Sequence, residues 1–314
     1  PNYSPFIKIY NAYGDLLIDS IIATDACLFY SFREDDYKVH FLSRDPQFIM
    51  SPNGSGSHKI IQRSFRLDSA SLQLAGPVVK KEIFYHPSIF DSAGIIWLPS
   101  PQFLLIQHAN GRDWWLSLQS WQVYNTPFPN TGLVFSLLLT PDSVYYKGKQ
   151  FIGTRDGHGA KGGGQVVQAP DACFVINTNA DGDALPNGDM NTKVEYMEFD
   201  RNTGLFSNYQ DFTPPNMPRF PHLTFGGVSV SPNGKMIYAS ASNLGSDIAS
   251  RLYQIPVDTP SAWRIIDTLP MAYSYGRHLL GPDGKIYISV SEQAPILNGG
   301  QATIDPYNSN LWVI

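Results

Sequence analysis

The segment Asn177-Thr178-Asn179-Ala180-Asp181-Gly182-Asp183 carries an oxygen-bearing side chain at every second position. A loop with that alternation wraps successive amide and carboxylate oxygens around one hard cation, and Gly182 falls where a calcium loop turns sharply. The pattern then departs. Its first position is Asn177 rather than an aspartate, its twelfth is Gly188, and the nearest carboxylate, Asp189, comes one residue late. The candidate calcium ligands are Asn177, Asn179, Asp181, Asp183 and Asp189. The competing reading is a hairpin tip in which Asn, Asp and Gly only make turns. No other cofactor is expected.

Other sites with a recognisable sequence form are missing. RDGHGAKGGGQ, from Arg155, is glycine-rich but lacks the Gly-Lys-Ser/Thr order that sets a lysine and a hydroxyl on phosphate and magnesium. It reads as a connection before a strand. There is no G-x-S-x-G elbow and no H-E-x-x-H helix. The histidines stand singly, at His40, His58, His86, His108, His158, His222 and His278, and each reads as a structural donor. No catalytic residue is singled out. Arg112 and Asp113 adjoin Trp114 and Trp115, and indoles beside charged groups suit a sugar. The simpler reading has that pair bonding the turn backbone or each other.

The elements that must position these groups are strands. A turn of Pro, then Asp or Asn, then often Gly, recurs before apolar strands: MSPNGSGSHKII from Met50, LTPDSVYYKGKQFIG from Leu139, QAPDACFVINTN from Gln168, VSPNGKMIYASAS from Val230 and LGPDGKIYISVSE from Leu280. Pro-Asp/Asn-Gly is a tight-turn signal, so each reads as a hairpin. After the last two, apolar and polar residues alternate with period two, as in Ile237, Ala239 and Ala241 against Tyr238 and Ser240. KVEYMEFDRNTGLFSNYQDF, from Lys193, and SRLYQIPVDTPSAWRIIDTL, from Ser250, each add two strands around a turn. Four strands in about 50 residues make one β-propeller blade. SLQSWQVYN reads as strand, and no helix of three turns is expected. Adjacent Trp114 and Trp115 then have a purpose. A strand sends neighbours to opposite faces, and sheets packed on both sides would bury both indoles.

Composition agrees. The chain has 314 residues, 43% of them hydrophobic and only 16% charged, with 24 prolines and 26 glycines, the texture of a well-cored all-β protein. A net charge of −5 without a basic run argues against nucleic acid. No stretch of about 18 apolar residues predicts a membrane span. The start, PNYSPFIKIYNAYGDLL, lacks the charged and apolar regions of a signal peptide. A chain starting at Pro1 reads as processed or as a fragment. Cys27 and Cys173 sit in similar contexts, TDACLFYSF and PDACFVINT. Equivalent positions in distant repeats do not come within the roughly 7 Å a disulfide needs, so both are expected to be free and buried.

The ordered set QHANGRDWWLSL, FSLLLTPDSV, GGGQVVQAPDACFVI, EFDRNTGLFSN, FGGVSVSPNGKMIYAS, LYQIPVD and GRHLLGPDGKIYISV resembles secreted WD40-like β-propeller proteins of Bacteroidota associated with type IX secretion. The resemblance covers residues 100–314 well and 1–100 loosely. It implies secretion or cell-surface display. It also implies that the chain is a piece of a larger protein, incomplete at one or both ends and lacking a C-terminal sorting domain. The expected fold is a single all-β propeller domain over 1–314, with about seven four-stranded blades, or six. Tyr273, Tyr275, Arg277 and His278 would cluster where a strand enters its channel, although fold alone assigns no ligand there. The leading expectation is a non-catalytic binding or assembly module for other proteins, for further copies of itself or for polysaccharide. The alternatives are a hydrolase or lyase acting on polysaccharide or peptide, and a structural subunit of a filament or surface layer.

Overall fold

A computed structural model describes residues 6–10, 16–22, 28–30, 38–44, 59–66, 79–85, 97–122, 131–154, 164–178, 193–214, 223–243, 249–270, 273–292 and 311–314. They form an all-β structure whose strands pair in chain order. Strands β1 (Phe6–Tyr10) and β2 (Leu16–Ile22) make a two-stranded sheet. A four-stranded sheet follows, of β3 (Leu28–Tyr30), β4 (Lys38–Arg44), β5 (Lys59–Arg66) and β6 (Val79–Tyr85). The next holds β7 (Trp97–Gln107), β8 (Trp114–Gln122), β9 (Thr131–Leu139) and β10 (Val144–Thr154). Then come β11 (Val166–Gln168), β12 (Phe174–Thr178), β13 (Val194–Asp200) and β14 (Leu205–Asp211). The last full sheet is β15 (Leu223–Val230), β16 (Met236–Asn243), β17 (Arg251–Pro256) and β18 (Arg264–Thr268). Strands β19 (Tyr273–Leu280), β20 (Ile286–Glu292) and β21 (Leu311–Val313) form a three-stranded sheet. One 3-10 turn, Pro260–Ala262, is the single helical element among the described residues, and no described helix is long and apolar enough to cross a membrane. The chain divides into two compact units: Pro1–Phe128 with Val134–Lys149, and Pro129–Leu133 with Gln150–Ile314.

In the first unit, HANGRD joins β7 to β8. The His108 N–H donates to Asp113 O at 2.9 Å and the Gly111 N–H to His108 O at 2.9 Å. Asn110 locks the turn: its Oδ1 accepts the Arg112 and Asp113 N–H groups, and its Nδ2 donates to Asp113 Oδ2 at 2.8 Å. The polar pair Arg112 and Asp113 therefore serves the turn. Beyond it, Trp115, Leu116, Ser117 and Leu118 are all buried, so both faces of β8 are covered. Trp115 is 2% exposed and stacks on the His108 ring. Trp114 is half-buried rather than sealed.

The second unit shows why both faces need apolar side chains. On the β15–β18 sheet, Ile237, Ala239, Ala241, Tyr253 and Ile255 pack into a core with Phe174, Ile176 and Val194 of the preceding sheet. The alternate residues Tyr238 and Leu252 pack into a second core with Tyr275, Ile286 and Ile288 of the following sheet. Period two thus serves two cores at once, and the first strands β11, β15 and β19 run beside one another. That is a propeller-like arrangement of successive sheets.

The recurring turns join first strand to second in these sheets. The Ser231 N–H donates to Met236 O at 2.8 Å, the Gly281 N–H to Lys285 O at 2.7 Å and the Ala169 N–H to Phe174 O at 2.9 Å. The third turn position is left-handed in each: φ is 71° at Gly234, 76° at Gly284 and 57° at Ala172. TPDS forms the expected hairpin, and one expectation, that Cys173 is buried, is corrected. TPDS joins β9 to β10, the third and fourth strands of its sheet. It shares the local turn chemistry without the same place in the repeat. Cys173 is free but exposed, because it follows Ala172 at the turn itself and not within the strand. Its thiol pKa is raised, chiefly by desolvation and then by Asp171. Cys27 lies outside the described residues, as does the turn at 51–54.

Candidate functional site

A buried polar cluster of the second unit lies on the first strands. β-bulges fall between Phe225 and Gly227 of β15 and between Tyr275 and His278 of β19. A bulge takes backbone groups out of the ladder, and buried ones need another partner. Gln165, just before β11, supplies it. Its Oε1 accepts the His278 N–H at 3.0 Å and the Val228 N–H at 3.2 Å, and its Nε2 donates to His278 O at 2.7 Å. Gln165 is itself tied to β12, where its N–H donates to Thr178 Oγ1 at 2.9 Å and its C=O accepts the Thr178 N–H. One carboxamide therefore links three successive sheets.

The His278 ring, 3% exposed, sits between two hydroxyls, Ser229 Oγ at 3.1 Å from Nδ1 and Ser240 Oγ at 3.0 Å from Nε2. Burial without a carboxylate partner pushes its pKa down to about 3. The ring is neutral at ordinary pH and far from the range a general base needs. Glycine allows the close approach here. A Cβ on Gly227 would lie 2.1 Å from Gly276 O, and one on Gly276 would lie 2.4 Å from Ser289 Oγ.

The expected cluster of Tyr273, Tyr275, Arg277 and His278 is split by the strand. Tyr275 is buried and its hydroxyl donates to Asp267 Oδ2, His278 is buried, Tyr273 is half-buried, and Arg277 alone is exposed. Desolvation and the carboxylate hold the Tyr275 hydroxyl well above the usual phenol range. His108 is structural as well, its Nδ1 accepting the Asn110 N–H at 3.0 Å.

Of the candidate calcium ligands, Asn177 is described, and Asn179, Asp181, Asp183 and Asp189 lie outside the described residues. Asn177 is a buried residue of β12 paired across the ladder with Glu195 of β13. Its Nδ2 donates to Glu195 Oε2 at 2.8 Å, while its Oδ1 is buried with no hydrogen-bond partner. Among the described residues no group of three or more His, Cys, Asp and Glu side chains is placed to hold a metal ion. Sequence reasoning missed Gln165, Ser229, Ser240 and Glu195. One signal was available: aligning the turns on Pro170, Pro232 and Pro282 puts Gly164, Gly226 and Gly276 in one column. Of that column Gly276 lies at the close approach, and its partner on β15 is Gly227, one residue beyond the aligned Gly226.

No protein-family model and no curated protein matches the chain. Among solved structures it is similar to a glucose dehydrogenase, at 13% identity over 92% of this chain and 88% of that one, with a TM-score of 0.48. It is similar to the α-L-arabinofuranosidase of Lactobacillus brevis, at 14% identity over 91% and 88%, with a TM-score of 0.45. It is also similar to the periplasmic gluconolactonase of Pseudomonas aeruginosa, at 12% identity over 98% and 94%, with a TM-score of 0.41.

Proposed function

We propose that the chain is a β-propeller of six or seven blades that works as a non-catalytic binding and assembly module, secreted or displayed at the cell surface. Its partner is a protein, in the first instance a second copy. One observation carries this. Apart from Leu279 on the first strand β19, the large exposed apolar side chains in strands lie on the last strand of successive sheets: Tyr145, Tyr146 and Phe151 on β10, Leu205 on β14, Ile265 and Ile266 on β18, Leu311, Trp312 and Val313 on β21. Tyr146 and Phe151 are each 53% exposed and Leu311 is 60% exposed. Edge strands usually carry charge or proline, because an apolar edge recruits another chain. Strand addition and apolar contact suit a protein better than a polysaccharide, whose hydroxyls call for polar partners. A filament or surface-layer subunit is the same surface used repeatedly.

Sedimentation velocity over a concentration series tests it. The wild type should shift to larger species as concentration rises, and an Ile265→Lys/Ile266→Lys variant should do so less. A wild type that stays monomeric throughout removes self-assembly. The second reading is a hydrolase or lyase acting on polysaccharide or peptide. Release of sugar or peptide from such polymers by wild-type protein, and not by a heat-denatured control, would put this reading first.

A further inference from the structure

We infer that the part of β10 in the first unit, Val144–Lys149, is a docking edge for an acidic, extended segment of a partner protein, which adds to the sheet as its next strand. This rests on reading the chain as a binding module and names the partner's chemistry at one edge. β10 ends its sheet, whose order is β10-β9-β8-β7. Tyr145 and Tyr146 are 50% and 53% exposed, and Lys147 beside them is exposed as well. Neighbours on a strand point to opposite faces, so Tyr145 and Lys147 share one. The Lys147 ammonium accordingly lies 5.5 Å from the centre of the Tyr145 ring. Lys147 has no carboxylate partner among the described residues. From Val144 to Thr154 there is no Asp or Glu, whereas the whole chain has a net charge of −5. The edge is a cationic, aromatic stripe on an acidic protein. Gly148, at φ +138°, leaves the backbone bare: a Cβ built there would meet nothing within 4 Å among the described residues. A glycine within a strand often marks the close approach of another backbone.

The charge selects the occupant. Opposite charges facing each other across a ladder stabilise it and like charges repel. A lysine on an edge therefore discourages a like-charged strand, including β10 of a second copy, and favours one with carboxylates on the same face. The Tyr146 ring, on the other face, takes an apolar side chain. An acidic polysaccharide would meet the lysine but leave the row of backbone N–H and C=O groups without the ladder that a strand supplies.

The probe is a fluorescein-labelled, alternating Glu-Val octapeptide titrated into the full chain and read by anisotropy, with an alternating Glu-Pro octapeptide and alginate as comparisons. Glu-Val should bind saturably and weaken at least about tenfold between about 0.05 and about 0.5 M NaCl. Glu-Pro keeps the carboxylates but loses the N–H donors of its prolines, and should bind at least about tenfold more weakly. Lys147→Glu, a change at an exposed side chain that should leave urea unfolding as it is, should weaken Glu-Val by about tenfold. No binding of Glu-Val overturns the docking edge, as does a Lys147→Glu variant that binds it like the wild type. Glu-Pro binding as tightly as Glu-Val removes strand addition, and alginate binding more tightly than Glu-Val assigns the stripe to a polysaccharide instead. A chain that stays monomeric in sedimentation yet binds Glu-Val loses self-assembly and keeps this edge. One that self-associates and ignores Glu-Val does the reverse.

Discussion

The first and last strands of the sheets in the second unit are built on opposite principles. The first strands β15 and β19 approach at Gly227 and Gly276, and their displaced backbone groups meet Gln165. The last strand β18 is largely exposed, with Ile265 42% and Ile266 37% accessible to solvent. Strand β14 lies between these extremes. Gln150 of β10 accepts the Phe206 N–H at 2.8 Å and donates to Phe206 O at 3.1 Å, capping that edge, while Leu205 beside it stays exposed. The difference teaches where the sequence is constrained. At the first strands an extra methyl group or one lost amide breaks contacts among several sheets. At the last strands the same change meets water or a partner.

The sharpest way to break this comparison is Gly227→Ala. The added Cβ would overlap Gly276 O and the His278 ring, so folding free energy should fall by about 3 kcal/mol or more, read by urea unfolding. A loss under about 1 kcal/mol would mean that the two strands can move apart freely. Gln165→Leu should cost about 2–3 kcal/mol, because it strips partners from the Val228 N–H and from both backbone groups of His278.

His278 adds a pH dependence. Its folded pKa, about 3, lies below the ordinary imidazole value of 6.5, so below about pH 6.5 the unfolded chain takes a proton that the folded chain refuses. Stability from this residue is therefore full above about pH 6.5 and falls by up to about 1.4 kcal/mol per pH unit toward pH 3. His278→Gln should flatten that part of the profile, and an unchanged slope would show that the ring titrates normally.

Two smaller changes sharpen the contrast. Ala172 holds φ 57° where its counterparts are Gly234 and Gly284, so Ala172→Gly should stabilise by about 0.5–1 kcal/mol. Ile265→Lys/Ile266→Lys should leave unfolding free energy within about 0.5 kcal/mol of the wild type while reducing self-association. A large stability loss there would make β18 part of the core.

Much of the architecture was legible because it is written locally. The turns Ser231–Lys235 and Gly281–Lys285 declare themselves by Pro, Asn or Asp, and Gly, whose backbone preferences need no distant partner. Alternation from Ile237 to Ala241 announces a strand, and the adjacent Trp114 and Trp115 announced two covered faces, of which Trp115 is sealed and Trp114 half-buried. The place of TPDS within its sheet was not legible, since one tight turn serves any antiparallel pair. Nor was the exposure of Cys173, which one left-handed residue decides.

Strand positions, their turns and the two-sided packing of the sheets follow from neighbouring residues along the chain, where φ preference and side-chain alternation act over a few bonds. The bonds from Gln165 to Val228 and His278, the enclosure of the His278 ring by Ser229 and Ser240, and the orphaned oxygen of Asn177 arise between residues far apart in sequence. Only the folding of separate sheets against one another brings these groups to within hydrogen-bond range, and burial then makes each of them costly to leave unpaired.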